Sequence, residues 1–191
     1  MRKEILLIGG GGHCKSVIDV IEQENRFTIA GIIDRKELIG QEVLGYKIIG
    51  SDDELENLSK KYTYAFITVG QVRSNSPRVK LFHVLKEFNY QLPVIISPLA
   101  YVSNHATIDE GTIVMHYALV NADAKVGKNS IINTKALIEH DSIIGNHCHI
   151  STATVINGGV KVQENSFVGS NSTTKEYTEV SGFMKAGEVL K

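Results

Sequence analysis

Three of the seven histidines crowd into ten residues of the segment Glu139-His140-Asp141-Ser-Ile-Ile-Gly-Asn-His147-Cys148-His149. Imidazoles so grouped suit a metal centre or proton transfer. No cysteine or carboxylate spacing of a zinc motif accompanies them, so no metal is expected and proton transfer is the better reading. Histidine titrates close to neutrality and can take a proton from an attacking amine or hydroxyl, and the adjacent Asp141 can orient the ring and stabilise its charged form. The competing assignment for His140 is a solvated polar side chain on a flat surface. Attack on a carbonyl by such a nucleophile also needs a donor for the oxygen that becomes negative. Asn157-Gly158-Gly159-Val160 offers one, because Gly158 leaves both an accessible N–H and a cleft for a small group.

A second chemical motif opens the chain. Ile5-Leu-Leu-Ile8 runs into four glycines, Gly9 to Gly12, and then into Cys14, Val17, Ile18 and Ile21 at helical spacing. This reads as strand, glycine-rich turn and helix. Bare N–H groups at such a helix start cradle a phosphate or diphosphate, and Asp34, closing the next strand, can accept from a ribose hydroxyl or a base. The dinucleotide fingerprint is incomplete, since Cys14 stands where Gly9-x-Gly11 calls for a third glycine. A turn that merely packs strand against helix is the alternative.

These groups need a scaffold, and the second half of the chain supplies a periodic one. From Val102 every sixth residue is Val or Ile for twelve consecutive steps, ending at Val168. With Val and Ile about one residue in five, chance produces such a run with a frequency on the order of one in 10⁷ to 10⁸. Four residues after each position lies a small or β-branched residue, from Ala106 to Ser172, which forms a second inward column. Six residues suit one short strand and a corner, and three such units close a triangular coil; about four coils are expected. Residues eighteen apart then lie roughly 4.8 Å apart on neighbouring coils. By that rule Gly158 sits directly above His140.

The first half alternates. Strands are expected at 4–8, 28–33, 64–69 and 92–96 and helices after the glycines and over 77–88, with Ser51-Asp-Asp-Glu54 as a capping box. That is a parallel α/β unit over residues 1–98, joined at Ile96-Ser-Pro98 to a repeat domain over 99–191. Twenty basic against 21 acidic residues argue against nucleic acid and anionic membranes as partners. No stretch approaches the roughly 20 apolar residues of a membrane span, and the N-terminal apolar run is too short for a signal peptide, so a cytoplasmic protein with Cys14 and Cys148 as free thiols is expected.

The repeat resembles the hexapeptide-repeat acyltransferases, whose left-handed parallel β-helices assemble as homotrimers. Ile8-Gly-Gly-Gly-Gly-His-Cys-Lys15, Ile33-Asp34, Ile132-Asn-Thr-Lys-Ala-Leu-Ile-Glu-His140 and Asn157-Gly-Gly-Val-Lys-Val162 resemble one branch in particular. It includes sialic acid O-acetyltransferases and N-acetyltransferases of nucleotide-linked 4-amino-6-deoxy sugars. The resemblance implies a Rossmann-like nucleotide-sugar domain before the prism and acetyl-CoA as co-substrate. It implies His140 as general base, Asp141 as its partner, Gly158 as oxyanion donor and Asn133 as a hydrogen bonder to the sugar. It places His149, Gly158 and Gly159 beside the acyl-CoA, and Gly11, His13 and Asp34 around the nucleotide. The branch usually closes with a Gly-x-Pro-Ala-Lys-like segment, whereas here Gly169-Ser-Asn-Ser-Thr-Thr-Lys175 leads almost directly to Ser181-Gly-Phe-Met-Lys185, so a shortened far end of the acyl-CoA groove is expected. The leading expectation is N-acetylation of a nucleotide-linked 4-amino sugar for surface glycans. O-acetylation of a sialic-acid-type sugar is the alternative, and a non-catalytic nucleotide-sugar-binding scaffold the third reading.

Overall fold

The computed structural model describes residues 2–72 and 74–191. The chain forms two compact units, one of residues 1–70 and 76–93, the other of 71–75 and 94–191.

In the first unit, β1 (Lys3–Ile8), β2 (Phe27–Ile33), β3 (Glu42–Val43), β4 (Tyr46–Gly50) and β5 (Tyr64–Ile67) form one sheet in the order β3-β4-β2-β1-β5. The central strands are parallel and only the β3–β4 edge is antiparallel. Ile5 to Ile8 and Ile32–Ile33 are buried, as near-continuous apolar strands between helices must be. Helix α1 (Gly12–Glu24) buries Cys14, Val17, Ile18, Val20 and Ile21 on one face and stops at Asn25, which takes the left-handed conformation at φ 62°. The Ser51/Glu54 capping box is present and leads into α2 (Leu55–Ser59); α3 (Ser76–Glu87) follows β5. The β3–β4 hairpin was not foreseen. Its turn is Leu44-Gly45, both at positive φ, where a bulky leucine hides the usual glycine or asparagine turn signature.

The second unit is a left-handed β-helix of two-residue strands, stacked in parallel sheets of six, five and six among the described residues. The Val/Ile column points inward and is buried from Val114 to Val180. The second column lines the same core, and five of its hydroxyls donate hydrogen bonds while that of Ser166 accepts one from Gly182 N–H. Thr112, Ser130, Ser142, Thr154 and Ser172 each donate to a corner carbonyl, those of Gly127, Gly145, Asn157, Gly169 and Lys185. The inner column thus accepts polar residues without leaving a buried hydroxyl unpaired.

Two differences from the sequence reading concern the ends of the prism. Ile95–Ile96 does not join the α/β sheet; it pairs in parallel with Ile113–Val114 as the first rung. Ile96 lies six residues before Val102, so it belongs to the repeat by period as well as by pairing. At the other end the rungs continue through Glu179–Val180, Phe183–Met184 and Val189–Leu190. Phe167 there pairs with Phe183 and Thr173 with Val189: one corner has lost two residues, and Gly182, at φ 71°, tightens it. A strict six-residue period cannot follow that deletion.

Candidate active site

The eighteen-residue rule holds along the prism, with Leu119 against Leu137 and Ile131 against His149, and it brings His140 and Gly158 together. A Cβ at Gly158 would lie 2.8 Å from His140 Cε1 and 2.9 Å from Nε2, so the ring rests against a backbone that only glycine leaves open. His140 Nδ1 is 2.7 Å from Asp141 Oδ2. With that hydrogen bond fixing the proton on Nδ1, Nε2 carries the lone pair and faces the Gly158 side. The hydrogen bond to Asp141 raises the His140 pKa above the ordinary histidine value; desolvation opposes it, and the Asp141 and Glu139 charges add to it. Asp141 holds this position at a corner with φ 61°, a left-handed conformation that aspartate tolerates better than most residues.

The turn beneath the ring presents one unspent donor. Gly159 N–H donates to the His140 carbonyl at 2.9 Å, and the Gly158 carbonyl accepts from Tyr177 N–H at 3.0 Å. Ser142 Oγ, inside the prism, donates to the Asn157 carbonyl at 2.9 Å. In a trans peptide the N–H points opposite to the C=O, so Gly158 N–H is turned away from the interior. No acceptor meets it among the described residues. A base with a free lone pair beside an unspent backbone donor is the minimum apparatus for acyl transfer.

His149 and Asn133 form a second group. Asn133 Oδ1 accepts from Thr134 N–H at 2.8 Å, which fixes the amide so that Nδ2 donates to His149 Nε2 at 3.0 Å. His149 Nδ1 then donates to the Gln71 carbonyl, and the ring stands edge-on to Phe167 with centroids 5.2 Å apart. Sequence reading missed the 71–75 loop, which belongs to the prism unit. Gln71 Nε2 donates to the His147 carbonyl at 3.1 Å, and Asn75 to Asn165 at 2.6 Å. A loop has no period to betray where it docks. His147 occupies a corner and meets Asn129 through Nδ1, so the three clustered histidines have three different sets of partners.

The first unit holds its own candidate groups. Gly9 N–H donates to the Ile33 carbonyl and Gly10 N–H to Asp34 Oδ2; Asp34 Oδ1 accepts from Arg35 N–H at 2.7 Å. Each carboxylate oxygen keeps a second acceptor site. Nothing lies within 4 Å of a Cβ built on Gly11 or Gly12, at the start of α1, where helix N–H groups lack internal partners. Cys14, in place of the third glycine, is buried, and burial pushes its thiol up to about 11. It packs rather than reacts. Beside this turn a cavity of about 650 Å³ is lined by Gly9, Asp34, Asp52 and Lys80 over apolar walls from Leu55, Leu81, Val84 and Phe88. It opens at the carboxyl ends of β1, β2 and β5, the usual ligand crevice of a parallel sheet. Burial, with Asp34 and Asp53 adding and Lys80 opposing, raises the Asp52 pKa. Buried Arg78 donates to the carbonyls of Ile67 and Val69, and burial lowers its pKa to about 9, so it stays cationic at neutrality. Sequence reading missed Asp52, Arg78 and Lys80, because helix starts and helix faces carry such residues for many reasons.

Among known proteins, the model of the PglD N-terminal domain matches residues 4–85. The fold is similar to perosamine N-acetyltransferase from Caulobacter crescentus, solved as a histidine-to-asparagine form with CoA and GDP-perosamine. That likeness has TM-score 0.92 and 31% identity over 98% of this chain and 88% of that one. It is also similar to the acetyltransferase domain of PglB from Neisseria gonorrhoeae, with TM-score 0.92 and 28% identity over 100% of this chain and 92% of that one; that domain has also been solved with acetyl coenzyme A. An uncharacterized protein of Acanthamoeba polyphaga mimivirus is 34% identical over 123 residues, which cover 64% of this chain and only 23% of that relative. With its PglD-type first unit and its β-helical second unit, the chain belongs to the hexapeptide-repeat sugar acetyltransferases.

Proposed function

We propose that this protein transfers the acetyl group of acetyl-CoA to the 4-amino group of a nucleotide-linked deoxyamino sugar, in the synthesis of surface glycans or glycoproteins. One observation carries the reading: His140 Nε2, its tautomer set by Asp141, lies against Gly158, whose N–H is unspent. His140 takes the proton from the attacking amine as the C–N bond forms. Gly158 N–H donates to the acetyl carbonyl oxygen as it gains charge, and the C–S bond then breaks, with the proton passing from His140 to the departing thiolate. Gly158 and Gly159 border the thioester without side chains of their own, the exposed Tyr177 ring lying where a Cβ of Gly159 would be, and His149, held by Asn133 and the Gln71 carbonyl, borders the arm of the acyl-CoA. Asn133 keeps an acceptor lone pair for the sugar. In the first unit Gly11 and His13 receive the diphosphate at the α1 start, and Asp34, beside the cavity, receives the ribose or base.

The working form is a homotrimer in the cytoplasm. The outward residues of one prism face, Tyr101, Leu119, Leu137, Val155, Thr173 and Val189, are almost all apolar, and Tyr101 and Val189 are 59% and 61% exposed. A face of that kind supports side-by-side packing of prisms. Another carries Thr107, Lys125, Ile143, Lys161 and Glu179. Two free, buried thiols suit a reducing compartment. No helix among the described residues is long and apolar enough to cross a membrane.

The test is a mass-spectrometric screen with acetyl-CoA and UDP-, dTDP- and GDP-linked 4-amino sugars, with free and CMP-linked sialic acids as the hydroxyl arm. Gain of one acetyl group on a 4-amino sugar is the expected result. Gain only on a sialic acid would move the acceptor from nitrogen to oxygen, and gain on none would leave a binding scaffold.

A further inference from the structure

Asn157 stands where three other residues of the prism do something different. At Asn121, Asn133 and Glu139 the side-chain oxygen accepts the N–H of the following residue, Ala122, Thr134 and His140 respectively. Asn157 occupies the equivalent place before the corner and has the same amide. Yet its Nδ2 donates to the Thr174 carbonyl at 2.6 Å, and its own backbone N–H donates to Thr174 Oγ1 at 3.0 Å. Thr174 is 1% exposed and belongs to the next coil. Asn121 and Asn133 also donate through Nδ2, but to the side chains of Glu139 and His149, and their Oδ1 atoms still cap the following N–H; Asn157 instead reaches the main chain of Thr174, and its Oδ1 makes no hydrogen bond to Gly158 N–H.

We infer that Asn157 is a positioning residue: clipped to Thr174, it is withheld from capping Gly158 N–H, which stays available to the acyl oxygen. The inference rests on the assignment of that N–H as the oxyanion donor. It goes further by naming what keeps the donor unspent. An asparagine released from the Thr174 main chain could take the local geometry of Asn121 and Asn133, whose Nδ2 groups meet only side chains, and would close the donor with its own oxygen. Ser142 completes the arrangement, because its hydrogen bond to the Asn157 carbonyl fixes the plane of the peptide that bears the donor.

Two substitutions separate clip from cap. In Asn157→Asp the carboxylate cannot donate to the Thr174 carbonyl and is free to accept from Gly158 N–H, as Glu139 does from His140. The expected loss in kcat is about 10- to 100-fold, with the nucleotide-sugar KM within about twofold, because the lost interaction is made in the transition state. Asn157→Ala can neither clip nor cap, and its expected loss in kcat is no more than about fivefold, since the donor is not spent. The spectroscopic readout is the carbonyl ¹³C resonance of labelled acetyl-CoA bound to the protein without acceptor sugar. In the wild type it should lie downfield of free acetyl-CoA, and in Asn157→Asp it should move back toward the free position. An Asn157→Asp variant with wild-type kcat and carbonyl shift would overturn the role of the clip. So would an Asn157→Ala variant as slow as Asn157→Asp, which would make the loss one of folding. An unshifted carbonyl in the wild type would remove the oxyanion donor itself, and the clip with it.

Discussion

His140 is 53% exposed at its side chain and has no buried charge to justify it, so what its loss changes is chemistry rather than packing. His140→Ala is expected to lower kcat by about 10² to 10⁴ with melting temperature unchanged, as for loss of a general base; rates near wild type would remove His140 from the mechanism. Its pKa is raised chiefly by the hydrogen bond it donates to Asp141. As the proposed base His140 works deprotonated, so the rate is expected to rise with pH through that raised value. Asp141→Asn removes the carboxylate and should carry the rise toward lower pH while lowering the plateau, which a pH profile of kcat/KM reads directly. An unmoved profile would mean that Asp141 does not set the base. Gly158→Ala places a Cβ within 3 Å of the ring and is expected to cut kcat with little effect on nucleotide binding. At this scale the sequence is readable where geometry follows from counting, as for His140 and Gly158 eighteen apart. It is silent where a rotamer decides: Asn121, Asn133 and Asn157 are the same letter at equivalent places, yet two cap the following N–H while Asn157 bonds to the Thr174 carbonyl.

The repeating coil was legible because each six-residue unit must bury the same kind of side chain, so composition and period carry the fold together. Its irregularities were not. The two residues missing before Phe183 break the period without breaking the ladder. Ile95–Ile96 reads as a strand of either unit, since apolar β-branched residues suit both, and only its partner Ile113–Val114 decides. Corners offer a test of the energetics. Most of them adopt positive φ at Asn, Asp, Lys or Gly, but Ala153 does so at φ 55° with no side-chain hydrogen bond to compensate. The left-handed conformation costs a residue with a Cβ about 1–2 kcal/mol, while glycine there gives back about 0.5–1 kcal/mol in the entropy of the unfolded chain. Relief of strain wins. Ala153→Gly should therefore stabilise the prism by about 0.5–1 kcal/mol, seen as a higher melting temperature; a lower one would show that the corner is not strained.

For the whole molecule, the proposed trimer rests on the difference between two prism faces. On one, the outward positions read Tyr101, Leu119, Leu137, Val155; on another, Thr107, Lys125, Ile143, Lys161. Burying a leucine of the first set contributes about 1.5–3 kcal/mol per side chain, and Leu119 and Leu137 lie on adjacent rungs of that face. A charge placed between them must lose its hydration unpaired, at a cost of several kcal/mol. In a cyclic trimer one substitution is met at all three interfaces, so the penalty recurs three times per assembly. Leu119→Arg is therefore expected to convert the proposed trimer to monomer in light scattering at micromolar concentration, while Lys161→Glu on the charged face leaves the mass unchanged. A wild-type monomer, or a Leu119→Arg trimer, would mean that the apolar face is not where the copies meet.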